Sequence, residues 1–387
     1  MQVHLARPDI ADKEIEIVNE VIRSPILALG PKLNEFEQAI ADYVGVKHAI
    51  AVNSGTSGLH LLIRAFGIRD GDEVITTPFS FIASSNCIVY ERAKPVFVDI
   101  EPDTANIDPR LIEDAITPRT KAILPVDAFG QPAKLDIVRD IARRHGLVVI
   151  EDSCESIGSE YKGIKTGSAA FADAAVFAFY PNKQITTGEG GMVVTDDDRV
   201  AFLCKSMRNQ GRGEAGVWLS HERLGYNYRI DELSAALGVV QMSRIEELIL
   251  KRKRVADMYN KRLSEIPDVR LPCIASEVTR MSWFVYVIRV GVDEPTPDRQ
   301  SGVRDHVMKR FREAQIGCRP YFTPIHLQPF YRTEFGLKEG MFPVTEHAGR
   351  TSIAIPFHNH ITEAEVEYVA GVLEKALDEA SASSGIV

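Results

Sequence analysis

Short apolar runs recur along the first half of the chain, and each is rich in Val, Ile or Phe. They span residues 49–52, 73–77, 95–100, 122–126, 147–152, 174–180 and 191–195. Helical patterns at 58–67, 84–93 and 135–145 separate several of these runs. Such runs are typical of buried strands, and strands that alternate with helices form parallel sheets covered on both faces. The pattern predicts an α/β fold around a mainly parallel seven-stranded sheet.

The pattern changes near residue 246. Residues 241–263 form a long charged stretch with helical periodicity, in which Glu247 and Lys251 stand four apart and pair on one helix face. An apolar strand pattern at 283–290 and a helical pattern at 304–314 follow. We therefore expect a large domain over residues 1–245 and a smaller C-terminal α+β domain over residues 246–387, with a connecting helix at the boundary.

Composition argues against several classes of protein. The chain has 387 residues, of which 45% are hydrophobic and 26% charged, as in ordinary globular proteins. The 54 acidic and 45 basic residues give a net charge of −9, which argues against a nucleic-acid-binding surface. No long apolar run predicts a membrane span, and charges near the N-terminus argue against a secretory signal. Five scattered cysteines predict neither disulfides nor a metal site, so we expect a cytoplasmic protein.

Three candidate groups follow the predicted parallel strands, at the sheet edge where such folds bind ligands. The motif SGTSG at 54–58 opens a helix, whose free amide groups and dipole favour an anion such as phosphate. Asp152 ends the most hydrophobic strand, and Lys183 follows the run that ends at Tyr180. Taken singly, SGTSG and Asp152 can be helix caps, and Lys183 can be a solvated side chain.

Together the three groups match the needs of one cofactor, pyridoxal 5′-phosphate (PLP). A phosphate site anchors this cofactor, a carboxylate keeps its pyridine nitrogen protonated, and a lysine amine bonds its aldehyde. No GxGxxG motif follows a predicted strand, and no GxxxxGK[ST] motif occurs in the sequence. Their absence disfavours the alternative of a nucleotide-binding oxidoreductase.

Six motifs resemble signatures of the DegT/StrS-type nucleotide-sugar aminotransferases, in the order expected for that family. They are NSGTSGLHLL, PFSFIASSN, PVDAFGQPAKLD, EDSCESIGSEYKGIKTGS, FAFYPNKQITTGEGGMVVTDD and RLGYNYRIDELSAALG. The resemblance runs from about residue 9 to residue 373. It implies a PLP enzyme of the aspartate-aminotransferase type (fold type I), which forms a homodimer with shared active sites.

The resemblance assigns the chemistry to a few side chains. It implies that Lys183 is the Schiff-base lysine and proton carrier, that Asp152 pairs with the pyridine nitrogen, and that Phe81 stacks on the cofactor ring. Glu155 stands near the phenolic oxygen, where many relatives carry Gln or His and where enzymes resembling perosamine synthases carry Glu. Since an ionised carboxylate is repelled there, we expect Glu155 to be protonated or to share a proton.

The resemblance also implies the phosphate site. It places Gly55, Thr56 and Ser57 around the phosphate, and Asn227 of the GYNYR motif reaches the same phosphate from the neighbouring subunit. Ala178 replaces a serine that binds phosphate in many relatives, so other donors must compensate for the missing hydroxyl. Asp127 stands where many relatives carry His, and the sequence assigns it no role.

The implied reaction transfers an amino group from L-glutamate to a nucleotide-linked keto-sugar through the pyridoxamine form of the cofactor. The ITTGEGG loop at 185–191 resembles that of enzymes acting at carbon 4, which indicates a 4-keto-6-deoxyhexose. We expect substrate contacts from Arg229, Tyr321 and His326. Structural roles are the alternative for Arg229 and His326.

Other activities of the same fold stay open as alternatives. They are a sugar 3-aminotransferase, a dehydratase, an amino-acid transaminase and a non-catalytic PLP-binding regulatory protein. A few dehydratase relatives replace the lysine by His, so Lys183 favours transamination. A regulatory protein would carry a basic helix-turn-helix, and none precedes residue 9.

Overall fold

The computed structural model describes residues 1–213 and 220–384. The strands are β1 (His48–Val52), β2 (Glu73–Thr76), β3 (Lys94–Phe97), β4 (Thr120–Ile123), β5 (Val148–Asp152), β6 (Glu160–Tyr161), β7 (Ile164–Lys165), β8 (Ala174–Ala178), β9 (Gly191–Thr195), β10 (Val269–Arg270), β11 (Val278–Arg280), β12 (Tyr286–Val290), β13 (Arg319–Pro320) and β14 (Ser352–Ile355). The α-helices are α1 (Asp12–Arg23), α2 (Pro31–Val44), α3 (Gly55–Ala65), α4 (Ala83–Tyr90), α5 (Leu135–His145), α6 (Asp198–Arg208), α7 (Glu232–Ser243), α8 (Ile245–Leu263), α9 (Pro297–Glu313), α10 (Pro329–Phe335), α11 (Pro343–Thr351) and α12 (Glu363–Ser384). Within these residues, no helix combines the length and the apolar composition that crossing a bilayer requires.

The large sheet has seven strands in the order β1-β9-β8-β5-β4-β2-β3. The neighbouring pairs from β8 to β3 are parallel. Strand β9 runs antiparallel to both of its neighbours, β1 and β8. Each of the seven apolar runs overlaps one of these strands, so the predicted α/β fold with a mainly parallel seven-stranded sheet is confirmed.

Helices cover both faces of the large sheet. Successive residues of a strand point to opposite faces and therefore pack against different helices. Val176 of β8 belongs to one core together with Leu62 of α3. The next residue, Phe177, belongs to the opposite core together with Phe36 and Ile40 of α2. Burial of each such side chain stabilises the fold by about 1.5–3 kcal/mol. The continuous apolar runs therefore reflect strands that are buried on both sides.

A second, antiparallel sheet lies in the C-terminal part of the chain, in the order β10-β12-β14-β13. Side chains of α8, α9 and α12 pack on it in one core that includes Tyr259, Phe311 and Leu373. Val3 joins this core, so the N-terminal residues also pack against the C-terminal part of the chain. The domain boundary at residue 245 stays a prediction.

The connecting helix differs from the expectation of one unbroken helix over 241–263. Helix α7 ends at Ser243, α8 begins at Ile245, and Arg244 lies between them with a non-helical backbone. The Arg244 guanidinium binds two carboxylates from the N-terminal part of the chain, with 2.9 Å to Asp9 and 2.6 Å to Glu14. Helix α8 then contributes Leu248 to the core of the large sheet and Val255 to the core of the second sheet.

Candidate active site

A cavity of about 500 Å³ lies at the carboxyl edge of the large sheet. The start of α3, the segment after β5 and the loop after β8 form three of its walls, and Phe284 and Tyr321 close it from the C-terminal part of the chain. The volume is in the range of small-molecule sites. The topology thus brings the three candidate groups, SGTSG, Asp152 and Lys183, to one cavity.

The start of α3 presents backbone amides to this cavity. Ser54 caps the helix, and its hydroxyl accepts a hydrogen bond from the Ser57 amide at 3.1 Å. A side chain at Gly55 would place its Cβ 2.8 Å from both Ala178 Cβ and Cys154 Sγ. Because that spacing is too short for any Cβ, only glycine lets this helix start lie against the cavity wall. The Gly55 and Thr56 amides belong to the first turn, whose N–H groups lack partners within the helix.

Ser57 differs from its neighbours in the SGTSG motif. Its side chain is buried, and its hydroxyl donates to Asn53 Oδ1 at 2.7 Å. Gly55 and Thr56 line the cavity, whereas Ser57 is absent from its walls. The structure therefore gives Ser57 a capping contact within the helix start, and its contact with a phosphate stays a prediction.

Asp152 lies at the end of β5, on the floor of the cavity. Its Oδ2 accepts a 2.7 Å hydrogen bond from Ser84 Oγ, and its Oδ1 accepts one from the Cys154 amide at 3.2 Å. The residue is only 5% exposed. These donors offset part of the cost of holding a carboxylate away from water and fix its direction. The group is placed to hold a proton on a ligand's ring nitrogen.

Lys183 lies in a turn after β8, where its amide donates to the Tyr180 carbonyl at 2.9 Å. Its Nζ lies 3.5 Å from Glu155 Oε1 and 3.8 Å from the centroid of the Phe284 ring. The Lys183 side chain is 12% exposed. A carboxylate and an aromatic face therefore hold this amine at the cavity wall, rather than in open solvent.

Glu155 is the second carboxyl group in the cavity. Burial raises the pKa of the Glu155 carboxyl, and the nearby Asp152 charge raises it further, whereas the Lys183 ammonium and the Phe129 amide oppose the shift. The Phe129 amide donates to Glu155 Oε2 at 2.8 Å. The direction of the pKa shift agrees with the expected proton on Glu155, whose role beside a cofactor stays a prediction.

Asp127, which the sequence left without a role, is fully buried outside the cavity walls. Its carboxylate accepts hydrogen bonds from Ser156 Oγ at 2.6 Å and from the Ala133 amide at 3.0 Å. Burial raises the pKa of Asp127 to about 6. Burial and the Asp127 charge raise the pKa of Glu151 well above its usual range. In this buried pair, the charge on Asp127 disfavours ionisation of Glu151.

Two aromatic residues of the predicted site lie at the cavity. The ring-stacking candidate, Phe81, lines it while 64% of its surface is exposed. Tyr321 lines the opposite wall, where burial and the Glu155 charge raise the pKa of its hydroxyl. An exposed phenylalanine at the cavity leaves one ring face free for a flat ligand.

The structure does not bring Asn227, Arg229 or His326 to this cavity. Asn227 is exposed, as expected for a residue that serves a neighbouring subunit. The Arg229 guanidinium donates to Asn209 Oδ1 at 3.0 Å. His326 is completely buried, and its Nε2 lies 3.0 Å from Glu346 Oε1. This burial is compatible with the structural role that was its alternative, and a contact of His326 with substrate stays a prediction.

Sequence reasoning missed two side chains that define the site. Ser84, which orients Asp152, stands in the quoted motif PFSFIASSN, so the motif marked the segment without identifying its contact. Phe284, which covers the Lys183 amine, had no signal in the sequence because it comes from the C-terminal part of the chain. In the part of the chain that the structure describes, no group of three His, Cys, Asp or Glu side chains could hold a metal ion.

The fold and the cavity together define a class of protein. A lysine amine, a carboxylate on the floor and a helix start at the carboxyl edge of a mainly parallel sheet are the parts of a fold-type-I PLP enzyme. The chain belongs to the DegT/DnrJ/EryC1/StrS aminotransferase family, whose model matches residues 8–374. The prediction of a PLP-dependent aminotransferase of the sugar-nucleotide type is thereby confirmed.

Relatives and solved structures agree with this assignment. The chain is 39% identical over 379 residues to GDP-perosamine synthase of Caulobacter vibrioides. This alignment covers 97% of this chain and 98% of the relative. It resembles the structure of PseC, an aminotransferase in pseudoaminic acid biosynthesis from Helicobacter pylori, with a TM-score of 0.91 and 29% identity over 98% of this chain and all of PseC. A sugar aminotransferase of Streptococcus pneumoniae, solved in its PLP form, matches with a TM-score of 0.91 and 25% identity over 98% of this chain and 100% of that chain.

Proposed function

We propose that this protein transfers an amino group from L-glutamate to carbon 4 of a nucleotide-linked 4-keto-6-deoxyhexose, with PLP as cofactor. The observation that carries the proposal is the convergence of Lys183, Asp152 and the start of α3 on one cavity. The relative named GDP-perosamine synthase and the resemblance of the ITTGEGG loop to that of carbon-4 enzymes support the sugar and the position.

The residues of the cavity fit PLP. The Gly55 and Thr56 amides at the helix start would hold its phosphate, and the Asp152 carboxylate would hold its ring nitrogen. Gly55 has no room for a side chain, so these amides stay at the cavity wall. PLP, when bound, withdraws electrons from the carbon that loses or gains the proton. The Phe81 ring, largely exposed beside the cavity, would cover one face of the cofactor.

Each side chain of the site then has a physical task. The Lys183 amine would bond the aldehyde of the cofactor, and in its free form it would move a proton at the reacting carbon of the substrate. Asp152, oriented by Ser84, would keep a positive charge on the ring. Glu155, 3.5 Å from Lys183 Nζ, can hold a proton beside that amine. Phe284 and Tyr321 restrict water at the site of proton transfer.

A product assay tests the reaction. The purified protein is incubated with PLP, L-glutamate and either a 4-keto-6-deoxy or a 3-keto-6-deoxy sugar nucleotide, and the products are followed by NMR. We expect an amine at carbon 4 and one 2-oxoglutarate for each sugar aminated. Amination of the 3-keto sugar alone would contradict the proposed position, and product without 2-oxoglutarate would contradict glutamate as donor.

We further propose a homodimer in which Asn227 completes the cofactor site of the second copy. Asn227 is exposed and lies outside its own cavity, which supports a role across an interface. Mixing Lys183→Ala with Asn227→Ala variants tests this role. If the sites are shared, random mixed dimers contain one intact site and restore about a quarter of wild-type activity. No recovery on mixing, with exchange of subunits shown by mass spectrometry, would contradict it.

A further inference from the structure

Arg252 carries a charge in the interior of the protein, directly behind the lysine. It lies in the middle of α8 and is 4% exposed. Burial lowers the pKa of Arg252 to about 10, so the guanidinium stays protonated at neutral pH. A charge buried in this way is costly unless many hydrogen bonds compensate for the lost water.

The hydrogen bonds of Arg252 go to main-chain carbonyls of two separate segments. Its Nη2 donates to the carbonyls of Lys183, at 2.5 Å, and Asn182, at 3.3 Å. Its Nη1 donates to the carbonyls of Trp283 and Phe284, both at 3.1 Å. One planar guanidinium thus ties the loop after β8 to the segment before β12.

These two segments carry the Lys183 side chain and the aromatic ring that covers its amine. The first carries Lys183 itself, and the second carries Phe284, whose ring centroid lies 3.8 Å from Lys183 Nζ. The rigid fork of donors in Arg252 sets the separation of the two main chains. It therefore also sets where the amine stands relative to the cavity.

We propose that Arg252 is a positioning residue that holds Lys183 in place for its bond to the cofactor by joining the Lys183 and Phe284 main chains. The inference rests on the proposed role of Lys183. Arg252 acts only through these carbonyls and touches neither cofactor nor substrate. An ammonium group is too compact to join both segments, so charge alone does not replace the guanidinium.

Arg254 provides a matched control on the same helix. Its Nη2 also donates to two main-chain carbonyls, those of Asn359 at 3.4 Å and Ile361 at 3.2 Å. Neither of these residues lines the cavity. Arg254 is exposed, so its loss reports the effect of removing an arginine of α8 that bonds main-chain carbonyls, without an effect on the position of Lys183.

The experiment compares the full-length variants Arg252→Gln, Arg252→Lys, Arg254→Gln and Lys183→Ala with the wild type. Three properties are measured: the Tm of the cofactor-free protein, the Kd for PLP, and the visible circular dichroism per bound PLP, which reports a fixed orientation. We expect both Arg252 variants to bind PLP about tenfold more weakly than Arg254→Gln, the effect of one lost charge-assisted hydrogen bond. We also expect them to lose most of the circular dichroism.

The outcomes separate the inference from the proposed function. If either Arg252 variant folds and matches Arg254→Gln in Kd and circular dichroism, the positioning role is wrong. The Arg252→Lys variant keeps the buried charge and provides this test if Arg252→Gln does not fold. If borohydride reduction of Lys183→Ala with PLP still labels the lysine that is labelled in the wild type, the proposed function itself is wrong, whatever the Arg252 variants show.

Discussion

Glu151 and Asp152 are neighbours on β5, and both are buried acids, yet they face different surroundings. Asp152 faces the cavity, where a hydroxyl and an amide donate to it. Glu151 points to the other side of the strand, where it accepts from the Gly167 amide at 3.0 Å and pairs with Asp127. Because side chains alternate between the two faces of a strand, Asp152 lies where a ligand can use its charge, whereas Glu151 lies where burial favours its protonated form.

The largest expected difference between the two faces is in activity. Asp152→Asn cannot keep a cofactor ring protonated, so we expect kcat to fall by about 10²–10³-fold, the usual loss when one electrostatic contact to a transition state is removed. The matched variant Glu151→Gln leaves the cavity unchanged and resembles the protonated acid, so its steady-state kcat should stay near that of the wild type. Equal losses in both variants would show that the two faces do not differ in function.

A smaller effect is expected when the carboxylate stays and its donor is removed. Ser84→Ala deletes the 2.7 Å hydrogen bond to Asp152 Oδ2. A hydrogen bond to a charged group contributes about 1.5–3 kcal/mol, so kcat should fall about tenfold. The neighbouring buried serine, Ser85, gives the control variant Ser85→Ala. If steady-state kinetics show the same kcat for both serine variants, Ser84 does not orient Asp152 for the reaction.

Two neighbouring residues at the start of α3 also differ in what they face. Thr56 lines the cavity, whereas Ser57 forms contacts within the helix start. Thr56→Val removes a hydroxyl that can reach a phosphate, and we expect about fivefold weaker PLP binding. Ser57→Ala should change the Kd for PLP less than Thr56→Val does. The Kd values come from absorbance titrations, and the reverse order would show that Ser57 contributes more to phosphate binding than Thr56 does.

The last expected effect is on stability rather than on activity, and it concerns the interior pair and its response to pH. The raised pKa of Asp127 means that its neutral form is favoured in the folded state. The resulting stability is fully present below about pH 4 and is lost as the pH rises through about 6. Asp127→Asn keeps an acceptor for Ser156 and carries no charge, so its stability relative to the wild type should rise by about 2 kcal/mol from pH 4 to pH 8. Urea unfolding at several pH values measures this difference, and parallel curves for the two proteins would contradict the raised pKa of Asp127.

The fold and the centre of the site were predictable because their signals are local. The seven apolar runs match the seven strands, since a strand buried on both faces must be continuously apolar. SGTSG, Asp152 and Lys183 each stand at the end of a strand or a few residues after it, and parallel strands end at one edge. Their meeting in one cavity therefore follows from topology alone.

Other features were not predictable because they depend on contacts between distant segments. The break at Arg244 accompanies its ion pairs with Asp9 and Glu14, more than 200 residues earlier in the chain. The burial of His326 depends on its contact with Glu346 in α11. The hydrogen bonds of Arg252 to the Lys183 loop likewise have no pattern in the sequence, because their acceptors are main-chain atoms.

Covalent capture of PLP tests the central claim most directly. The protein is mixed with PLP, reduced with borohydride and digested, and the labelled peptide is identified by mass spectrometry. The account predicts a label on Lys183 alone and no covalent label in Lys183→Ala. A label on another lysine of the wild-type protein, or no label after incubation with excess PLP, would contradict the assignment of this site.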